Sequence, residues 1–249
     1  MKTDNLIAGE KSGLRKKTAD GFGLIIIGTE ILDGRVRDRH FENFRELLRK
    51  RNHFLAYSSI LNDSPELIRN QLKWSFRRPE PFFCCGGIGA TPDDYTRQAA
   101  ADVAGLSLEY HPEASRIIGE LVPPERRNAC LEMARFPRNA RLIPNPVNRV
   151  PGFTVKNGYF LPGFPHMAAA MAEWILDEYF EDGPERSEYT FRLPGVREAD
   201  LVDLMRDFVA AHPDLGFSSL PRFVPGGLEV IITLRGRPSR IEEGVKNLT

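Results

Sequence analysis

Hydrophobic and polar positions along the chain switch between a strand-like and a helix-like period, and the switches mark out the elements. Gly23-Leu24-Ile25-Ile26-Ile27 is a continuous apolar run between glycines, the pattern of a strand buried on both faces. Gly28-Thr29-Glu30-Ile31-Leu32-Asp33-Gly34 then reads as a loop or short turn. Phe41, Phe44, Leu47 and Leu48 recur at helical spacing and predict an amphipathic helix from Asp38 to Arg51. Phe54 to Leu61 reads as a second strand, stopped by Asn62-Asp63-Ser64-Pro65. Ser64 suits an N-cap and Pro65 the first helical position, with Leu67, Ile68, Leu72 and Trp74 on the apolar side of the next helix. Pro81 to Cys85 is a third strand. It opens into a glycine turn, and the spacing predicts a helix from Pro92 to Ala104. A β-α-β-α-β-α order argues for a parallel sheet with helices on both faces.

The second half is more broken. His111 to Pro137 reads as helical, interrupted by Pro123-Pro124, and Arg141 to Ile143 as a short strand. Phe153 to Val155 and Tyr159 to Leu161 flank Asn157-Gly158, a hairpin signal. Pro162-Gly163-Phe164-Pro165 leads into a helix that reaches Tyr179. Glu181 to Glu185 is polar and helix-breaking, which places a domain boundary there and separates residues 21–183 from 184–249. The later segment reads as a small α+β unit. It has strands at Tyr189–Leu193, Leu215–Leu220 and Leu228–Leu234, a helix through Leu201, Leu204, Met205, Phe208 and Val209, and a last helix from Ile241. Residues 1–20 are polar and read as a mobile tail.

Composition narrows the function classes. Lys plus Arg equals Asp plus Glu at 34 each, so bulk charge excludes general nucleic-acid or membrane attraction. No apolar run approaches the ~18 residues of a membrane span. Three cysteines, Cys84, Cys85 and Cys130, form neither a disulfide framework nor a zinc pattern, which fits a reducing, cytoplasmic compartment.

Candidate chemistry gathers after the third strand. Gly86, Gly87 and Gly89 allow a left-handed turn and close approach to a ligand. Asp93 or Asp94 suits the cap of the following helix, whose free N–H groups favour a phosphate, and the carboxylates suit a hard cation bridging to it. Ligands of parallel sheets bind beyond the C-terminal strand ends. Three loops, 28–34, 62–65 and 86–96, are therefore expected on one rim, bringing Glu30, Asp63, Asp93 and Asp94 together. Arg35, Arg37 and Arg39 fit either a diphosphate clamp or a solvated face balanced by Asp38, Glu42 and Glu46. His40 and His166 stand alone, and no serine–histidine–acid spacing stands out.

Four stretches in order carry a family resemblance. Gly86-Gly87-Ile88-Gly89-Ala90-Thr91-Pro92-Asp93-Asp94-Tyr95-Thr96 closely resembles the GGLGPTxDDxT stretch of CinA-type (competence/damage-inducible) proteins, whose relatives MoaB and MogA carry a shorter form. Gly28-Thr29-Glu30-Ile31-Leu32-Asp33-Gly34 is similar to the family's GDEILxG. Asn145-Pro146 with Pro151-Gly152-Phe153 resembles NPxGTAPGF, and Leu161-Pro162-Gly163-Phe164-Pro165 resembles LPGxP. The segment from about 186 resembles the small middle domain of these proteins.

The resemblance implies a three-layer α/β/α molybdopterin-binding-type domain with a mainly parallel sheet, often oligomeric, plus the small α+β domain. It implies molybdopterin or a nucleotide as ligand and, in CinA-type members, divalent-metal-dependent cleavage of nucleotide diphosphates such as ADP-ribose or FAD. It places Asp94 and Asp63 at catalytic and metal positions with Asp93 beside them. Gly86, Gly87, Gly89, Thr91 and Thr96 fall at the phosphates, and Gly28, Glu30, Asn145, Gly152, Pro162 and Gly163 about the substrate. In MogA-type relatives the implied reaction is adenylation of molybdopterin. The chain also departs from the pattern. The acid of GDE is Thr29, the following DTN reads Asp38-Arg39-His40, the proline of GLGPT is Ala90, and the acid expected after LPGxP is Met167. These departures keep a non-catalytic binding protein open beside the hydrolase.

Overall fold

Strand β1 (Gly21–Ile27) is buried at every one of its seven positions, as an apolar run covered on both faces must be. The computed structural model describes residues 15–248. After β1 come α1 (Thr29–Leu32), α2 (His40–Lys50), β2 (Phe54–Leu61), α3 (Pro65–Ser75), β3 (Phe82–Cys85) and α4 (Thr96–Ala104). Then follow β4 (Leu108–Tyr110), α5 (Pro112–Leu121), α6 (Arg127–Leu131), β5 (Arg135–Pro137), β6 (Arg141–Ile143), β7 (Gly152–Val155), β8 (Gly158–Leu161) and α7 (Pro165–Tyr179). The main sheet has the order β2-β1-β3-β8-β7-β6, with β2, β1, β3 and β8 parallel and β7 antiparallel to both of its neighbours.

Strand side chains alternate between two cores. Ile25, Ile27, Phe82 and Cys84 face Ile68 and Leu72 of α3, Ala99 and Ala100 of α4, and Ile118 of α5. Phe22, Leu24, Ile26, Phe83 and Cys85 face Phe44 and Leu48 of α2 and Met171, Ile175 and Leu176 of α7. This is the three-layer α/β/α fold with a mostly parallel sheet. Phe136, Phe153 and Phe160 stack in series at 4.8 and 4.6 Å. Burial of each such ring contributes about 1.5–3 kcal/mol.

Four expectations are corrected in detail. Helix α4 starts at Thr96 rather than Pro92, because residues 91–94 close a turn of their own in which Asp94 N–H donates to the Thr91 carbonyl at 3.1 Å. The hairpin between β7 and β8 turns through Lys156 and Asn157, one residue earlier than expected, and Lys156 takes the left-handed conformation at φ 54°. Gly158 instead belongs to β8, where a Cβ would fall 2.6 Å from the Phe82 ring. Strands β4 and β5 form a separate two-stranded sheet; at three residues each, neither carries a readable period. Of the expected tail, residues 1–14 lie outside the described residues. Lys17 pairs in parallel with Phe180, its N–H donating to the Tyr179 carbonyl at 2.8 Å.

The chain divides into two units at Gly183 and Pro184. The second holds β9 (Ser187–Pro194), α8 (Val202–Ala211), β10 (Gly216–Val224), β11 (Gly227–Gly236) and α9 (Pro238–Leu248). Its antiparallel sheet, ordered β10-β11-β9, packs Val230, Ile232 and Leu234 against Phe208 and Ile241.

Candidate functional site at the C-terminal strand ends

Because β1, β2 and β3 are parallel, the segments that leave them meet at one end of the sheet. Gly28 N–H donates to the Leu61 carbonyl at 2.9 Å, and Gly86 N–H to the Leu161 carbonyl at 3.0 Å. Gly86 sits at φ 105°, and a Cβ there would fall 2.3 Å from the Ile27 carbonyl oxygen. A side chain would therefore break both the conformation and the contact. Gly163 packs against the same glycine, its would-be Cβ 3.5 Å from Gly86 Cα, with Pro162 beside it.

Gly87 follows at φ 68°, its would-be Cβ only 2.2 Å from Thr96 Oγ1, and its carbonyl accepts the Thr96 N–H at 3.0 Å. Thr96 is fully buried and its hydroxyl has no protein partner. Helix α4 has Tyr95 at its N-cap, no side-chain cap and no acid in its first turn, and the Gly87 carbonyl takes its first N–H. Neither Asp93 nor Asp94 caps it. The Asp94 carboxylate instead accepts from Thr91 N–H at 2.8 Å and from the Thr91 hydroxyl at 2.5 Å through Oδ2. Gly89 makes room for that carboxylate, with a would-be Cβ 2.6 Å from Oδ2.

Asp63 reaches across to the other loop. Its Oδ2 accepts from Thr29 N–H at 2.9 Å and from the Thr29 hydroxyl at 2.6 Å, so it caps α1 from 34 residues away. Thr29, standing where the family has an acid, is thus a donor to the neighbouring acid. The Glu30 carboxylate lies over Gly28, whose would-be Cβ falls 2.9 Å from Oε1. Among the described residues no group of three His, Cys, Asp or Glu side chains converges as a metal cage. Asp63 and Asp94 each hold Oδ2 in protein hydrogen bonds and leave Oδ1 outside them.

Two residues expected to face a ligand have their roles set by packing. Gly152 lies buried in β7, paired with Ile143, and a Cβ there would fall 2.3 Å from the Phe160 carbonyl oxygen. Asn145 is buried and folds its own loop. Its Oδ1 accepts from Val147 N–H at 3.0 Å and its amide points to Met167 Sδ at 3.8 Å. Arg35 is paired with Asp33 at 3.0 Å, both exposed, while Asp38, Glu42 and Glu46 go to His40, Arg45 and Lys50.

Sequence reasoning missed three contributors. Arg97, the second residue of α4, is buried and braces the glycine loop by donating to the Gly89 carbonyl at 2.6 Å and to the Glu132 carbonyl. Burial lowers its pKa, opposed by the charges of Asp94 and Glu132. His40 is not alone: its Nδ1 meets Asp38 Oδ1 at 2.9 Å, and its buried Nε2 has no protein partner. Burial would raise the Asp38 carboxyl, but the N–H groups of Phe41 and His40 and the His40 ring outweigh it and hold it low. The third is the Thr29–Asp63 link itself. The only signal for any of them was position beside a recognised motif. Burial pushes the Cys84 thiol up, and burial with the neighbouring Cys84 and Asp38 pushes Cys85 well up, so neither is a ready nucleophile.

Comparison with known proteins places the segment in a family. Residues 23–182 match the sequence model of the family described as "Probable molybdopterin binding domain". A CinA-like protein of Citrifermentans bemidjiense is 35% identical over 198 residues, covering 73% of this chain and 46% of that protein. A CinA-like protein of Sulfurihydrogenibium is 28% identical over 222 residues, covering 84% of this chain and 52% of its own length. The chain therefore spans about half the length of these curated relatives. The crystal structure of CinA from Thermoplasma acidophilum superposes with a TM-score of 0.57 at 23% identity, covering 64% of this chain and 99% of that one, which shows a shared fold. The glycine turn and the start of α4 thus sit within a recognised domain, and the chain belongs to the molybdopterin-binding-domain family, among its CinA-like members.

Proposed function

We propose that the rim binds a small molecule carrying a diphosphate, a nucleotide or a pterin, and hydrolyses that diphosphate with a divalent cation. The observation that carries the reading is the fully buried, unpartnered Thr96 hydroxyl beneath the left-handed Gly86-Gly87 turn, at a helix start with no side-chain cap. The positive end of a helix there favours a phosphate. The donor set fits magnesium rather than a closed cage. Two carboxylates, Asp63 and Asp94, each offer one free oxygen, and such an ion fills its other positions with water and substrate phosphate. When bound, the cation supplies charge neutralisation and an activated water. Thr91 and Thr29 fix Oδ2 of Asp94 and Asp63 respectively, so each carboxylate is oriented before a ligand arrives. The protein would work in a reducing cytoplasm, where three free cysteines are stable, and as a homo-oligomer like others of its fold.

The test is turnover of ADP-ribose, FAD and related diphosphates with and without Mg²⁺. We expect metal-dependent release of the monophosphates, abolished in Asp94→Ala. Turnover untouched by that substitution would sink the mechanism.

A second reading is favoured by particular residues. With Met167 in place of an acid, the Asn145 amide meets a sulfur, and the Thr29 hydroxyl fills one oxygen of Asp63. A binding protein that has lost the chemistry would show saturable calorimetric binding of a nucleotide or pterin diphosphate with no product. Adenylyl transfer to molybdopterin ranks behind both, because the flanking motifs and the second unit follow the CinA-like pattern.

A further inference from the structure

The opposite end of the main sheet has a different chemistry. The C-terminal turns of α3, the last turn of α4 and the β7–β8 hairpin line an open concavity of about 510 Å³. Four cations line it, Arg69, Lys73, Arg77 and Lys156, against one carboxylate, Asp102. Arg69 reaches Asp102 only at 3.9 Å, and Lys73, Arg77 and Lys156 have no carboxylate partner among the described residues. In a chain of zero net charge, cations left uncompensated inside a concavity form a local positive field that a bound anion would relieve.

Lys156 supplies a second, independent sign. Its backbone sits at φ 54°, a conformation that disfavours a side chain with a Cβ by about 1–2 kcal/mol. Glycine or asparagine would fit that turn at less cost, yet a lysine stands there, its Nζ 5.2 Å from the centre of the Phe76 ring on the cavity wall. Lys156 also lines a neighbouring cavity of about 430 Å³ whose other cations are Arg15, Lys17, Arg138 and Arg141, against Glu178. A strained residue at the junction of two basic concavities points to a role in binding.

We propose that this far-end cavity is a second ligand site, distinct from the glycine rim, for a small multiply charged anion of the oligophosphate class. Spread over four cations in one concavity, a tri- or tetra-anion gains more than a single phosphate does. The aromatic wall of Phe76 suits an oligophosphate that also carries a flat ring. The site does not depend on the hydrolase reading of the rim.

Calorimetry on the full chain with sodium tripolyphosphate at fixed ionic strength tests it, with orthophosphate as the single-phosphate control. We expect saturable tripolyphosphate binding at least tenfold tighter than orthophosphate. The double substitution Lys73→Ala/Arg77→Ala should weaken it at least tenfold, and the rim variant Thr96→Val should leave this component in place. Lys73→Glu, at one of the same exposed positions, repeats the test with reversed charge, and an unchanged melting curve certifies the fold of each variant. Tripolyphosphate affinity unaltered in both far-end variants overturns the proposal. So does loss of all binding in Thr96→Val alone, which would assign the anion to the rim. Tighter binding of a 12-nucleotide single-stranded DNA that displaces tripolyphosphate would also overturn it, in favour of a polymer-binding surface.

Discussion

The two ends of the same sheet bear opposite kinds of positive charge. At the C-terminal end the charge is in the backbone: left-handed glycines and the start of α4 without a side-chain cap, with each acid tied by a threonine across or along the loop. At the N-terminal end it is in side chains, the lysines and arginines of α3, its C-terminal extension and the β7–β8 hairpin, with Asp102 the one carboxylate in the lining, 3.9 Å from Arg69. The backbone arrangement needs contiguous residues and so leaves a motif. The side-chain arrangement gathers residues 69, 73, 77 and 156 and leaves none.

The sharpest way to break this comparison is at Gly86. Gly86→Ala forces a Cβ onto the Ile27 carbonyl at a positive φ, and we expect it to destabilise the domain by more than about 3 kcal/mol and abolish ligand binding at the rim. A urea midpoint shift of less than that, with the rim intact, would show the turn to be soft. Next comes Arg97. Arg97→Met leaves the Gly89 and Glu132 carbonyls without their buried donor and should lower stability by about 2–4 kcal/mol, with Arg97→Lys only partly restoring it. Asp94→Ala is expected to change stability by about 1 kcal/mol or less, since its partners in the 91–94 turn are exposed, yet to reduce turnover at least about a hundredfold. A large stability loss there would make Asp94 a structural residue first.

The far end gives the smallest effects and the opposite sign. Lys156→Asn relieves the left-handed turn, so equal or slightly higher stability, by up to about 1 kcal/mol, should accompany weaker tripolyphosphate binding. The pH dependence of folding supplies a control at neither site. Burial holds the His53 imidazole below its usual value, with its Nε2 on the Glu181 carbonyl at 3.1 Å partly opposing this. The unfolded chain then binds more protons than the folded one, so the stability tied to His53 is complete above about pH 6.5 and declines as pH falls below it. The difference between urea midpoints at pH 7.5 and pH 5.5 should shrink in His53→Gln.

How much was legible follows from whether the deciding contacts are local. The apolar runs of β1 and β3, the alternation of Cys84 and Cys85 between two cores, and the glycine turn itself are written in consecutive residues. Periodicity and φ preference therefore sufficed. The start of α4 was misplaced by four residues because the hydrogen bonds of Asp94 went to Thr91 instead of to the helix, a choice between two local partners that spacing cannot rank. Gly152 and Asn145 belong to recognisable motifs, but only the packed structure turns one toward the Phe160 carbonyl and the other into its own loop.

The sequence alone thus determined a parallel α/β domain with a glycine turn at a strand end, because backbone conformation and burial period are set by neighbouring residues. Tertiary structure decided which side chains meet. Thr29 holds Asp63 across 34 residues, Arg97 reaches back to Gly89 and across to Glu132, and Lys156 closes a basic cavity with α3. These pairings depend on the order and direction of strands in the sheet, a long-range property that no single stretch of the chain carries.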